Sequence, residues 1–172
     1  MKKTVYDARW ITTTAVLTAM NVALSSFGVP VPGGHLYMND IIIVFAALLL
    51  DPLAAFCVGG IGAFLGDLLF YPTPMFVSLV THGLQAVVIS LLVRRAPAER
   101  EAPVSVLAVA LGAVIMVVGY TLGRAYLYST PAYAVLKLPF QILQAVVGGA
   151  VGLLLRWKVK PLARLVRGPA AP

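Results

Sequence analysis

Two long apolar runs, residues 104–126 and 133–156, each carry a stripe of polar side chains. That combination limits the folds open to this chain more than any other feature. The first stripe is Tyr120, Arg124 and Tyr128, at i, i+4 and i+8; the second is Lys137, Gln141 and Gln144, at i, i+4 and i+7. Both spacings put their members on one face of a helix. Runs this long and this apolar belong in lipid. A charge near the bilayer centre costs about 2.5–3.5 kcal/mol on insertion scales. Two cations on neighbouring runs therefore predict a shared polar cavity that holds a small solute.

The remaining sequence supports a membrane solvent. Of 172 residues, 60% are hydrophobic and only 11% are charged, against about 25% charged in a soluble domain. The expected fold is all-α: a polytopic bundle of six transmembrane helices forming one domain over residues 1–172. The net charge of +7 would suggest nucleic acid in a soluble chain. In a membrane protein, positive residues instead mark cytoplasmic loops. The single cysteine, Cys57, allows no internal disulfide and no cysteine-based metal site. It sits in an apolar run and reads as a small buried hydrophobe.

In chain order, a basic segment at 1–9 precedes a first helix over 10–27. That helix lacks a clear cleavage site and is expected to be retained. Ala15, Ala19 and Ala23 repeat every four positions, a stripe that lets another helix approach closely. Residues 28–35, GVPVPGGH, read as an irregular loop. The second helix is expected over 36–50, opening with Tyr37, Asn39 and Asp40. It is short for a span of about 20 residues. A re-entrant hairpin with the third helix is the competing topology, but it would bury Asp51 without a cation near it in sequence.

The third helix is expected over 53–70, with Gly59, Gly62, Ala63 and Gly66 on one close-packing face and Asp67 beside it. A turn at 71–74 leads into a fourth helix over 75–93, striped by Ser78, His82 and Gln85. The charged loop 94–103 precedes the fifth and sixth helices over 104–126 and 133–156, joined by a loop at 127–134. A basic tail follows from 156 to 172.

Six spans put both termini on one side. Assigning that side to the cytoplasm places Lys2, Lys3, Arg9, Arg94, Arg95 and Arg100 inside, with Arg156, Lys158, Lys160, Arg164 and Arg167. Only Arg124 and Lys137 fall outside that group. The outward helix ends then carry Tyr37, Asn39, Asp40, Asp67 and Tyr71, followed by His82 and Gln85, and finally Tyr120, Arg124, Lys137, Gln141 and Gln144. Ionisable residues in spans face the bundle interior or a wet cavity, so these, Tyr71 apart, are the eleven candidate substrate-binding residues. The competing reading is internal neutralisation, with Asp67 paired to Arg124 and Asp40 to Lys137.

Four segments carry a resemblance. They are GGHLYMNDIIIVFAALLLDPLAAFCVGGIGAFLGDLL, the turn GDLLFYPTPMF, the glycine-centred HGLQAVVISLL, and VVGYTLGRAYLY with LKLPFQILQAVVGG. In order and spacing the chain resembles the substrate-binding subunits (S components) of energy-coupling factor vitamin transporters. The likeness is to the riboflavin-type and hydroxymethylpyrimidine-type branch. The resemblance implies a cytoplasmic N-terminus, a vitamin pocket near the extracellular face and loops that cap it. It also implies partners: a membrane coupling subunit and two cytoplasmic ATPases. Ala15-x-x-x-Ala19 matches the family's docking motif for the coupling subunit. The pattern implies a lysine where His82 stands, a glutamate at Gln85 or Arg124, and an acidic residue at Lys137. The pocket here is shifted toward positive charge, which motivates an anionic group on the ligand.

No phosphate loop is present, so ATP hydrolysis is assigned to the partners. There is no HExxH and no nucleophile–base pair, and neither catalysis nor a cofactor nor a metal is expected. A small membrane enzyme using Asp40, Asp67 and His82, or a stand-alone secondary carrier, are the alternatives. The expected location is the cytoplasmic membrane.

Overall fold

The computed structural model describes residues 7–159. The first helix, α1, runs Ala8–Ser25 and starts at Asp7, whose carboxylate accepts the Trp10 amide. Thr14, Leu17, Asn21 and Ser25 form its buried side. Ala15, Ala19 and Ala23 lie on its exposed side.

The segment read as an irregular loop is a β-hairpin. Strand β1, Gly28–Val31, pairs antiparallel with β2, Gly34–Tyr37, with Val31 opposite Gly34 and Gly28 opposite Tyr37. Pro32 and Gly33 form its tip, and Gly33 has φ +81°. That sign suits Gly as the second central residue of a Pro-Gly turn. The two prolines argue against a strand in sequence, yet both sit where an edge strand and a turn tolerate them.

The hairpin shortens the second helix. α2 begins at Asp40 rather than 36 and ends at Leu49. Ten residues cover about 15 Å, half of a hydrocarbon core of about 30 Å. The rest of this crossing is β2. α2 runs parallel to the last helix: glycines at 148 and 152 meet Asp40 and Val44, and Arg156 reaches the Leu48 carbonyl.

The other four helices are long and apolar enough to cross a membrane: α3 Pro52–Phe70, α4 Met75–Arg95, α5 Ala98–Tyr128 and α6 Pro131–Lys158. The loop expected at 127–134 shrinks to Ser129 and Thr130. Thr130 caps α6 by accepting the Tyr133 amide, and Pro131 fills the first turn. Large apolar side chains such as Leu69, Phe76, Leu107 and Val135 cover the outside of these helices, as lipid contact requires.

α3 contains a π-helical turn at Cys57–Ile61. The extra residue rotates the helix, so its glycines do not share one partner as the spacing suggested. Gly59 and Gly60 meet α4 at Ala86, the His82 carbonyl and Gly83. Gly62 and Gly66 meet α1 at Asn21 and Ser25. A π turn disturbs the backbone ladder, and here Asn21 Nδ2 donates to the Val58 carbonyl at 2.6 Å.

One end of the bundle collects the described basic residues Arg9, Arg94, Arg95, Arg100, Arg156 and Lys158. Lys2, Lys3, Lys160, Arg164 and Arg167 lie outside the described residues. At this basic end the Trp10 indole donates to Asp51 at 2.5 Å, and Ser90 donates to the Leu50 carbonyl. Asp51 thus lies at the basic end of the bundle beside Trp10, the position expected of two spans and not of a re-entrant pair. Between the basic end and the hairpin lies an apolar core including Ile43, Leu48, Ala86, Ile89 and Ala108.

Candidate functional site

The opposite end is organised by the hairpin. A strand at membrane depth exposes backbone groups that lipid cannot satisfy, at several kcal/mol each. The polar stripes supply partners for them. Arg124 Nη1 donates to the Gly33 carbonyl at 2.5 Å, and Lys137 Nζ donates to the His35 carbonyl at 2.6 Å. Gln144 accepts the Tyr37 amide at 3.1 Å and donates to Asp40 Oδ2 at 2.6 Å. It therefore ties the end of β2 to the start of α2. Close packing fixes the tip as well: a Cβ on Gly33 would meet Lys137 Cβ at 2.9 Å, and one on Gly34 would meet Arg124 Nη1 at 3.0 Å.

Below the hairpin, side chains from α3, α4 and α5 form a polar layer. Ser78 donates to Asp67, and Tyr120 OH lies 2.5 Å from Ser78 Oγ. His82 Nδ1 donates to Gln85 Oε1 at 2.7 Å, and in the neutral ring Nε2 is then the acceptor. The His82 and Tyr120 rings lie 5.1 Å apart. Asp40 Oδ1 faces His82 Nδ1 at 3.7 Å.

Two chambers lie at this end. The inner one offers about 30 Å³ to the centre of a water-sized sphere. Eight of the expected residues line it: Tyr37, Asn39, Asp67, His82, Tyr120, Arg124, Gln141 and Gln144. Three expected residues stand behind the wall instead. Lys137 is held by the hairpin, Gln85 holds His82, and Asp40 holds Gln144. Gly34, His35 and Pro74 also line the chamber and were not among the expected residues, and Tyr71, expected at an outward helix end, lines it too. A histidine in the GGHLY segment, half-buried in the structure, was the signal available for His35. The outer chamber, about 270 Å³ by the same measure, is bounded by Gly33, Gly34, Tyr71, Arg124, Tyr128 and Tyr133. Arg124 lines both, as do Gly34 and Tyr71.

By volume, the inner chamber fits ordered water and not a ring compound. This is a closed arrangement. Entry of a larger solute requires the hairpin or the Arg124 side chain to move.

The ion pairs expected under internal neutralisation do not form. Asp67 is bonded to Ser78 and Asp40 to Gln144. Among the described residues, Arg156 pairs with Glu101 at 2.6 Å and His82 lies 3.7 Å from Asp40, and neither contact involves Arg124 or Lys137.

A profile of the family described as "ECF-type riboflavin transporter, S component" matches residues 6–161. A protein of Pyrococcus woesei, described as "Uncharacterized protein in gap 3'region", is 30% identical over 150 residues, covering 84% of this chain and 99% of that protein. The chain belongs to the ECF-type S component family. It is a multi-pass membrane protein, and its family is one of transporter subunits and not of enzymes.

Proposed function

We propose, from that membership, that this chain is the substrate-capture subunit of an ECF-type importer in the cytoplasmic membrane. Its basic end faces the cytoplasm, following the charge bias. A vitamin or vitamin precursor enters from outside and occupies the space around the inner chamber once the hairpin lifts. The observation that carries this reading is the convergence of eight separated polar side chains on one chamber beneath the hairpin. Tyr37, Asn39, Asp67, His82, Tyr120, Arg124, Gln141 and Gln144 contact the solute in this reading. Asp40, Gln85 and Lys137 position them. The whole chain acts as one domain.

Transport then needs an energy source this chain lacks. A coupling transmembrane subunit carries it, with two cytoplasmic ATPases. The exposed alanine face of α1 is the docking surface, because small side chains let a partner helix approach closely. Uptake by cells carrying this chain with and without the coupling module tests the proposal. Strict dependence on the module is expected, and uptake without it would show a stand-alone carrier. Ala19→Trp separates the two faces of α1: it should abolish uptake and leave ligand binding intact. Loss of both would make the stripe a folding element.

A further inference from the structure

The two cations at the hairpin end do more than the hairpin needs. Lys137 is 2% exposed, and its ammonium meets one neutral carbonyl, that of His35. Arg124 meets the neutral carbonyl of Gly33 and stacks 5.4 Å from the Tyr128 ring. A neutral donor such as Gln would serve either carbonyl with far less loss of hydration. The charges are therefore in excess of the structural task, and no carboxylate among the described residues forms an ion pair with them. The Tyr128 hydroxyl, on the same wall of the outer chamber, is buried and has no hydrogen-bond partner.

The floor has the opposite character. Asn39 Oδ1 and Asp40 Oδ1 are buried acceptors without a hydrogen-bond partner. Asp67 and His82 Nε2 add acceptor capacity beside the chamber. Aromatic rings stand between roof and floor: His35 lies 6.0 Å from Tyr37 and 5.9 Å from Tyr71, and Tyr120 packs on His82. Buried polar atoms are normally satisfied. Here the unsatisfied Tyr128 hydroxyl and the two cations lie at one end of the site and the unsatisfied Asn39 and Asp40 oxygens at the other, with His35 Nδ1, also buried without a partner, on the hairpin.

We propose that the solute is an amphoteric planar ring compound. Its anionic substituent meets Arg124 where the two chambers join, and its hydrogen-bond-donating ring edge meets Asn39, Asp67 and His82 below. This rests on reading the chamber as the capture site. Charge-assisted bonds from a guanidinium to a carboxylate or phosphate are roughly twice as strong as neutral ones. An incoming anion therefore draws Arg124 off the Gly33 carbonyl, and this loosens the hairpin tip that closes the site. Lys137 stays on the His35 carbonyl and adds positive potential from behind the wall.

Calorimetric titration of the full-length protein in detergent micelles tests this with three matched pairs: nicotinate and nicotinamide, orotate and uracil, riboflavin 5′-phosphate and riboflavin. The expected result is at least about tenfold tighter binding of the anionic member in any pair that binds. Arg124→Gln should erase that preference and Arg124→Lys should keep part of it. Should Arg124→Gln not yield folded protein, Lys137→Gln should reduce the preference, and an unchanged preference there would count against the proposal. Equal or tighter binding of the neutral members, or a preference that survives Arg124→Gln, overturns the charge assignment while leaving the capture site in place. Failure of all six compounds to bind overturns both.

Discussion

Two arginines, Arg156 buried and Arg124 half-buried, distinguish the two ends of this bundle. At the basic end, Arg156 donates to Glu101 at 2.6 Å and to the Leu48 carbonyl at 3.4 Å, so its charge is answered within the protein. At the hairpin end, Arg124 donates to one neutral carbonyl and faces two chambers. The backbone differs in the same way. Near the basic end α2 is helical and its core apolar; near the other end the same crossing is a strand, held by side chains from α5 and α6. The difference teaches where this fold spends polar groups. One end closes on itself, and the other keeps hydrogen-bonding capacity available.

Substitutions at the two ends should therefore fail differently. The largest loss of stability is expected in the close-packed half. A Cβ on Gly59 would meet Ala86 Cβ and the His82 carbonyl at 2.8 Å each, and Gly59→Leu should destabilise by about 3 kcal/mol, the upper end of overpacking. Thermal denaturation in detergent checks this, and a shift within error would mean the α3–α4 contact is loose.

Gln144→Ala sharpens the contrast. It strands the Tyr37 amide and an Asp40 oxygen together, at about 2 kcal/mol. Hydrogen exchange should speed at hairpin amides while α3 and α4 stay protected. Uniform loss of protection would show that the hairpin and the core unfold as one unit.

The smallest effect is expected at the π turn. Asn21→Ala removes the donor to the Val58 carbonyl and should lower stability by about 1 kcal/mol, with ligand binding unchanged. A larger loss would place α1 among the determinants of the site.

How much of this was legible in the sequence follows the same division. The stripes at 120 and 124 and at 137, 141 and 144 gave the convergence, because helical spacing fixes a face regardless of what covers it; Tyr128 ends a second π turn, Arg124–Tyr128, which its spacing did not reveal. They did not reveal what the face meets. Lys137, Gln85 and Asp40 hold other groups in place behind the wall, a distinction that needs coordinates. The hairpin was hidden because Pro30 and Pro32 read as breakers and Leu36 as a helix start. The π turn was hidden because Gly59 to Ile61 is compatible with an unbroken helix, so one glycine face was expected where two exist. Arg156 read as one more cytoplasmic charge, since nothing in its neighbours shows that Glu101, far away in sequence, comes beside it.

The central claim is that the charge at the hairpin end serves a solute while the charge at the basic end serves the fold. It is tested most directly by making the same substitution at both. The compound carried through mild purification, identified by mass spectrometry, is titrated into Arg124→Gln and Arg156→Gln, and both melting temperatures are measured. The account predicts at least about tenfold weaker binding for Arg124→Gln with its melting temperature within about 4 °C of the parent. For Arg156→Gln it predicts a lowered melting temperature and unchanged affinity. Unchanged affinity in Arg124→Gln, with the loss of binding falling on Arg156→Gln, would contradict it.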